Sequence, residues 1–240
     1  MTLDELLHNP KALPTAPRVL EELISSFEDP EVEVGRITRI LSADPVLSAK
    51  LLRLANSAYY HVSRTIGTVD EAVRMLGFVT VRTLVISSGL VNGFKSAPGL
   101  DLKHFWRYSL HTAVSARWIA QKSGENADLA FTIGLMHAIG HVIIHAGMPE
   151  QAAELDAAAS PYEPGRIERE NAAFGFNFSD AGAGLARAWK FPDVFTSTIA
   201  AFPDPLRSPS SSRLACVIHL AVWRARPGGS SVEADAASPA

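Results

Sequence analysis

The chain has 240 residues, 47% of them hydrophobic and 20% charged, with a formal net charge of −3. That is enough apolar material for a full core, and the charge argues against a sequence-independent grip on nucleic acid. The single cysteine, Cys216, excludes an internal disulfide framework and a Cys-rich zinc site.

Apolar periodicity is helical nearly throughout, with Gly and Pro between the periodic stretches acting as stops. The opening MTLDELLHNP carries two acids and no apolar core of signal-peptide length, so no leader is expected. Leu13-Pro14-Thr15-Ala16-Pro17 opens a helix ending near Phe27. A second runs from Val34 to Leu41. Asp44-Pro45 starts a third, with Asp as N-cap and Pro at the first helical position. Thr68-Val69-Asp70-Glu71 reads as a capping box, and Gly77 ends the helix it opens. The stretch FVTVRTLVISSGLV (78–91) is β-branched, but no second strand-like run exists to pair with it, so a buried helix is predicted. KSAPGL (95–100) breaks the composition. Helices then follow over 102–122, 125–146, 149–158, 165–174, 179–190, 193–201 and 212–225, Ser179 capping one of them. The tail from Pro227 has too little apolar surface to bury and is expected to be disordered. Apolar runs meet polar residues well before ~18 positions, so no membrane span is expected. No fixed-period repeat and no Gly-rich phosphate loop are present.

The stretch GLMHAIGH (134–141) comes closest to declaring chemistry. On one helix from Ala127 to Ala146, His137, His141 and His145 fall at i, i+4 and i+8, a stripe that drifts by ~40° per step. An i, i+4 histidine pair can chelate a transition metal, but such motifs carry a neighbouring carboxylate, and no acid lies between Asp128 and Glu150. The alternative is a polar seam, with His145 near the negative end of the helix dipole.

Three other features weigh function against packing. LLRLANSAYY (51–60) ends a helix at Asn56 and presents Tyr59 and Tyr60 between Arg53 and Arg64; this is either capping and aromatic packing or a partner-binding surface. The pair 34–42 and 45–57 has the outline of a helix-turn-helix, with Arg36, Arg39, Lys50 and Arg53 as positive charge, yet such turns are ordinary in any bundle. His111 shares a stripe with His104, Tyr108, Ser115 and Trp118; if it faces His137, the two line a pocket.

The blocks ILSADPVLSAKLLRLANSAYY and FTIGLMHAIGHVII, together with LPTAPRVLEEL, IGTVDEAVRMLGFVTVRTLV, FWRYSLHTAVSARWIA and GAGLARAWKFPDVFTSTI, resemble the HDOD family, a branch of the HD phosphohydrolase superfamily found in bacterial signalling proteins. The resemblance runs from about Leu13 to Asp204. It implies an all-α fold in which an N-terminal helical sub-bundle packs on an HD-like helical bundle. One domain is expected over 1–226, with 13–95 as its N-terminal part and 100–226 as the HD-like bundle, and a tail over 227–240. It also implies a regulatory role. Where many relatives read His-Asp-Ile-Gly-Lys, this chain reads His137-Ala138-Ile139-Gly140-His141. His111 stands near the earlier histidine of the superfamily's metal site. Asn177-Phe178-Ser179-Asp180 and Phe202-Pro203 stand where relatives often carry histidines. A hydrolytic site needs the aspartate to hold the metal that activates water, and Ala138 offers a methyl group. The expectation is a cytoplasmic, non-catalytic signalling module with no cofactor and no metal. His111, His137, Ala138 and His141 are then remnants of an HD site, and the partners are other signalling proteins rather than nucleic acid or membrane. The rival readings are a metal-dependent phosphohydrolase and a non-catalytic nucleotide or second-messenger sensor.

Overall fold

The computed structural model describes residues 1–25, 34–60, 64–94, 96–207 and 212–226, apart from the side chains of Arg18 and Tyr59. Helices and turns account for the ordered elements among these residues, and no strand is present among them. The chain divides into two compact units, Thr15–Gly93 and Met1–Pro14 with Phe94–Ala240. The predicted tail over 227–240 lies outside the described residues, as do Phe27, His61 and Lys95.

A short helix that the sequence reading passed over, α1 (Leu3–Leu7), belongs to the second unit. Thr2 caps it and Glu5 reaches back, so both halves of a capping box form. Its Leu6 and the following Ala12 occupy space that a Cβ at Gly147 would need.

The first unit holds α2 (Arg18–Ser25), α3 (Val34–Ala43), α4 (Pro45–Ala55), a 3-10 turn at Ala58–Tyr60, α5 (Val69–Leu76) and α6 (Phe78–Gly93). Asp44 caps α4, its Oδ1 accepting from Val46 N and Leu47 N at 2.9 and 3.0 Å. At α5 the Thr68 hydroxyl accepts from Glu71 N, but the Glu71 carboxylate turns to Gly67 N and to Arg64. Gly77, at φ 78°, ends α5 in a conformation that an L side chain rarely adopts, and α6 leaves at a bend of 111°. The β-branched 78–91 stretch is helical, as its lack of a pairing partner predicts. Leu23, Ile37, Leu41, Leu51, Val73 and Val85 form the centre of this unit's core.

The second unit is built on α7 (Leu102–Ser123), α8 (Ala127–Met136), α9 (Ile139–Gly147), α10 (Pro149–Ala158), α11 (Arg166–Phe174), α12 (Phe178–Ala188), α13 (Asp193–Ala201) and α14 (Arg213–Ala225). α7 packs along α8 and α14, and α12 packs against α9 and α13. Two expectations need correction. Ser179 is not the cap of α12. Asn177 is, its Oδ1 accepting from Ser179 N, and Asp180 completes the box by accepting from Asn177 N. The predicted single helix over 125–146 is two helices broken at His137-Ala138. There the His137 ring takes the Gly134 carbonyl that residue 138's N–H would use in a continuing helix, and His141 N closes a tighter turn on Ala138 O.

By length and composition the stretch Ala127–Gly147 could cross a membrane, contrary to the expectation of no such run; 83% of its apolar window is buried inside the protein, as in a core helix.

Candidate functional site

The break between α8 and α9 places His137, Ala138 and His141 at the wall of a cavity of about 230 Å³ in the second unit. His137 and His141 are only 1% and 2% exposed, and Ala138 is buried between them. Gly140 is required in this turn, because a Cβ there would collide with the Phe178 carbonyl at the start of α12. That close approach brings the Phe178 ring onto His141, with centroids 4.0 Å apart and planes at 23°. Phe202, at the end of α13, meets His137 edge-on at 5.6 Å, and Tyr108 of α7 meets it from another side at 5.2 Å. The two phenylalanines that stand where the family resemblance implies histidines thus face His137, the retained histidine, and His141, which stands in place of the usual lysine.

Hydrogen bonding fixes the His137 tautomer. Its Nδ1 lies 2.7 Å from the Gly134 carbonyl and must donate, which leaves a lone pair on Nε2, a buried atom with no hydrogen-bond partner. Burial drives the His137 pKa down to about 3, against the Gly134 bond, so the ring is neutral near pH 7.

On the other side of the turn a charge cluster supports His141 and His145, and it was not legible in the sequence. His145 donates from Nδ1 to His141 O (2.6 Å), and its Nε2 lies 2.8 Å from Asp156 Oδ2. Arg166 links the acids, with Nη1 2.7 Å from Asp156 Oδ1 and Nε 2.8 Å from Glu170 Oε1; it also donates to Ala159 O. Glu170 accepts from Phe178 N through Oε2 at 2.6 Å, and its Oε1 lies 3.4 Å from His141 Nδ1 without hydrogen-bond geometry. Burial opposes the charge of Glu170, but His141 and Arg166 outweigh it and hold the carboxyl below its usual range. Burial lowers the His141 pKa despite Glu170.

The donor set does not fit the divalent metal that the HD superfamily implies. Among the described residues no three His, Cys, Asp or Glu side chains are placed to share an ion. Glu170, the carboxylate beside His141, is committed to Arg166 and to a backbone N–H, Ala138 contributes no donor, and aromatic rings cover the His137 and His141 imidazoles.

The remaining sequence candidates are dispersed. His111 is exposed on α7 and does not line the cavity; Tyr108, one turn earlier, occupies the place facing His137. The conditional pocket of His111 and His137 therefore does not form, because the buried stripe of α7 runs through Phe105, Tyr108, Ser109, Thr112 and Ala116. In the first unit the Asn56 amide clamps Ile66, donating to its carbonyl at 2.9 Å and accepting from its N–H at 2.8 Å. Tyr60 packs partly against the first unit's core, Arg64 pairs with Glu71 at 2.9 Å, and Arg53 is exposed. The Tyr59 side chain lies outside the described residues. Of the helix-turn-helix cations, Arg36 pairs with Glu22 at 2.8 Å and Lys50 donates to Ser88 at 3.2 Å, both inside the unit.

Known proteins give this arrangement a context. The profile of the HDOD domain family matches residues 13–205. Among solved structures, a candidate phosphohydrolase from Shewanella amazonensis SB2B is 34% identical, with TM-score 0.78 over 93% of this chain and 78% of that one. An HDOD domain protein of unknown function from Geobacter sulfurreducens is 25% identical, with TM-score 0.75 over 89% and 72%. An uncharacterised protein of Treponema pallidum (strain Nichols) is 26% identical over 78% of this chain, which spans 37% of that protein's length. An alignment with YuxH of Bacillus subtilis (strain 168), 23% identical, covers 56% of this chain and 32% of that protein. The chain thus spans about a third of the curated relatives it matches.

Proposed function

The chain belongs to the HDOD domain family, and we propose that it is a signalling module that performs no hydrolysis and acts by binding another protein. The observation that carries this reading is the pairing of Phe178 with His141 and of Phe202 with His137 around Ala138. A metal-activated water needs several donors converging on one ion. Here the converging groups are rings and a methyl group, and the cluster of Asp156, Arg166 and Glu170 acts as an internal brace for the histidine helix. His111, His137, Ala138 and His141 are read as the remains of an HD site kept as scaffold.

The test is a hydrolysis assay on the whole chain with manganese, magnesium, iron or zinc added, using bis-p-nitrophenyl phosphate and nucleotide substrates. Rates at background are expected. Turnover lost in His137→Ala would overturn the reading in favour of the phosphohydrolase, the class proposed for the Shewanella relative.

A second reading is favoured by the cavity itself: a sensor that holds a small ligand between Tyr108, Tyr162, Phe202 and Trp223. A thermal-shift screen of nucleotides would support it if a hit were abolished by Tyr162→Ala.

A further inference from the structure

The exposed apolar side chains of the second unit are concentrated on two neighbouring helices. Leu110, Val114 and Trp118 stand at i, i+4 and i+8 of α7, 48%, 55% and 56% exposed, and Leu220 and Trp223 of α14 are 51% and 56% exposed. The helices pack together and run antiparallel: Arg213, at the start of α14, donates to Ser123 O at the end of α7. Towards the other end of α7 a groove of about 680 Å³ opens between them, lined by Arg107, Leu110, His111, Val114, Arg224 and Arg226. No acid lines it, and neither α7 nor α14 contains a single Asp or Glu, in a chain whose net charge is −3. Tyr108, at the groove's floor, is engaged with Arg226; Arg107 and Arg224 are exposed. Leu110 and Val114 lie in this groove and Trp118 continues their stripe one turn beyond it, whereas Trp223 lines the histidine cavity; exposed apolar side chains bordered by charge mark an interaction site.

We propose that this groove docks an acidic amphipathic helix of a partner protein, its apolar residues at i and i+4 seated on Leu110 and Val114, its end passing over Trp118 one turn beyond the groove, and its carboxylates facing Arg107 and Arg224. The inference deepens the protein-binding reading above and rests on it. Charge decides the occupant. A second copy meeting the same face across a two-fold axis would set arginine against arginine. A concave channel with a regularly spaced apolar stripe suits an inserted helix, as in helix-in-groove recognition, better than the plane of a lipid surface. His111, left without a role in the cavity, sits in this groove.

The experiment is selection of helical 18-residue peptides from a display library on the whole chain. The best binder is then measured by fluorescence anisotropy against wild type, Trp118→Ser and Arg107→Glu/Arg224→Glu. All substituted positions are exposed, and melting curves establish that the variants stay folded. The selected peptides are expected to be net acidic with apolar residues at i and i+4. Binding should weaken by about tenfold or more in each variant, fall with added salt, and return to the double variant when the peptide's Glu residues are replaced by Lys. Selection of neutral or basic peptides, equal binding by the variants, or failure to select any peptide would overturn the proposal. So would binding of phosphatidylserine vesicles by this face in place of peptide, or self-association lost in Trp118→Ser. Hydrolysis by the wild-type chain would sink the functional reading while leaving a charge-swapped peptide result standing; background hydrolysis with no selected peptide sinks the groove alone.

Discussion

The Phe178 ring lies nearly parallel to the His141 imidazole at 4.0 Å, while the Phe178 N–H is held by Glu170, the carboxylate closest to that imidazole. One residue therefore both covers the histidine and occupies the acid that would otherwise be free to join it. Restoring a single donor should not rebuild a metal centre against this arrangement. Ala138→Asp is expected to bind well under one equivalent of manganese, iron or zinc, and to melt earlier than wild type because it buries a carboxylate without a partner. Elemental analysis and a melting curve on the same sample check both statements.

The brace makes a second prediction. Glu170→Gln leaves the buried Arg166 with one carboxylate and removes a strong acceptor from Phe178 N, at a cost of about 3 kcal/mol. The double variant Arg166→Met/Glu170→Leu, which removes charge on both sides, should lose less than Glu170→Gln alone. Chemical denaturation of the two variants decides it; a double variant that loses as much stability as Glu170→Gln, or more, would contradict the brace.

Acid should weaken the second unit. Unfolded histidine takes up a proton near pH 6.5, whereas burial keeps folded His137 neutral down to about 3. Between those values the unfolded chain binds the extra proton, so stability is full above pH 6.5 and falls as pH drops towards 3. His141 acts in the same direction, and the lowered pKa of Glu170 adds a loss at the acid end. The contribution of His137 between pH 7 and 4.5 is about 2.5 kcal/mol. In His137→Leu the dependence of melting temperature on pH should be shallower than in wild type; parallel curves would show that His137 titrates normally.

Much of the fold was legible because capping and punctuation are local. Asp44-Pro45, Thr68 and Gly77 mark helix ends through their own side chains or backbone, and each does so here. The site was half legible. His137, Ala138 and His141 lie in one short run, but the groups that decide their chemistry arrive from α7, α11, α12 and α13. Helix α11 misleads most: its two buried residues are Arg166 and Glu170, while Ala172 and Ala173 are exposed. A helix that turns its charges inward cannot be oriented by apolar periodicity. The break at His137 was hidden for a related reason, since a side chain competing for a helix carbonyl leaves the apolar pattern of Ala127–Gly147 intact.

Asn56 separates packing from recognition in the first unit. Its amide ties Ile66 to the end of α4 through Leu52 O, Ile66 O and Ile66 N. Asn56→Ala should cost about 1–2 kcal/mol of stability, with peptide binding at the α7–α14 groove unchanged. A variant of wild-type stability that fails to bind would place recognition at Asn56 instead.

The most direct test of the central claim is the metal content of the tag-free chain after purification in the presence of manganese, iron and zinc. An imidazole pair walled by Phe178 and Phe202, with Glu170 bound to Arg166, predicts well under one equivalent of any of them. A stoichiometric divalent ion that disappears in His137→Ala would contradict it.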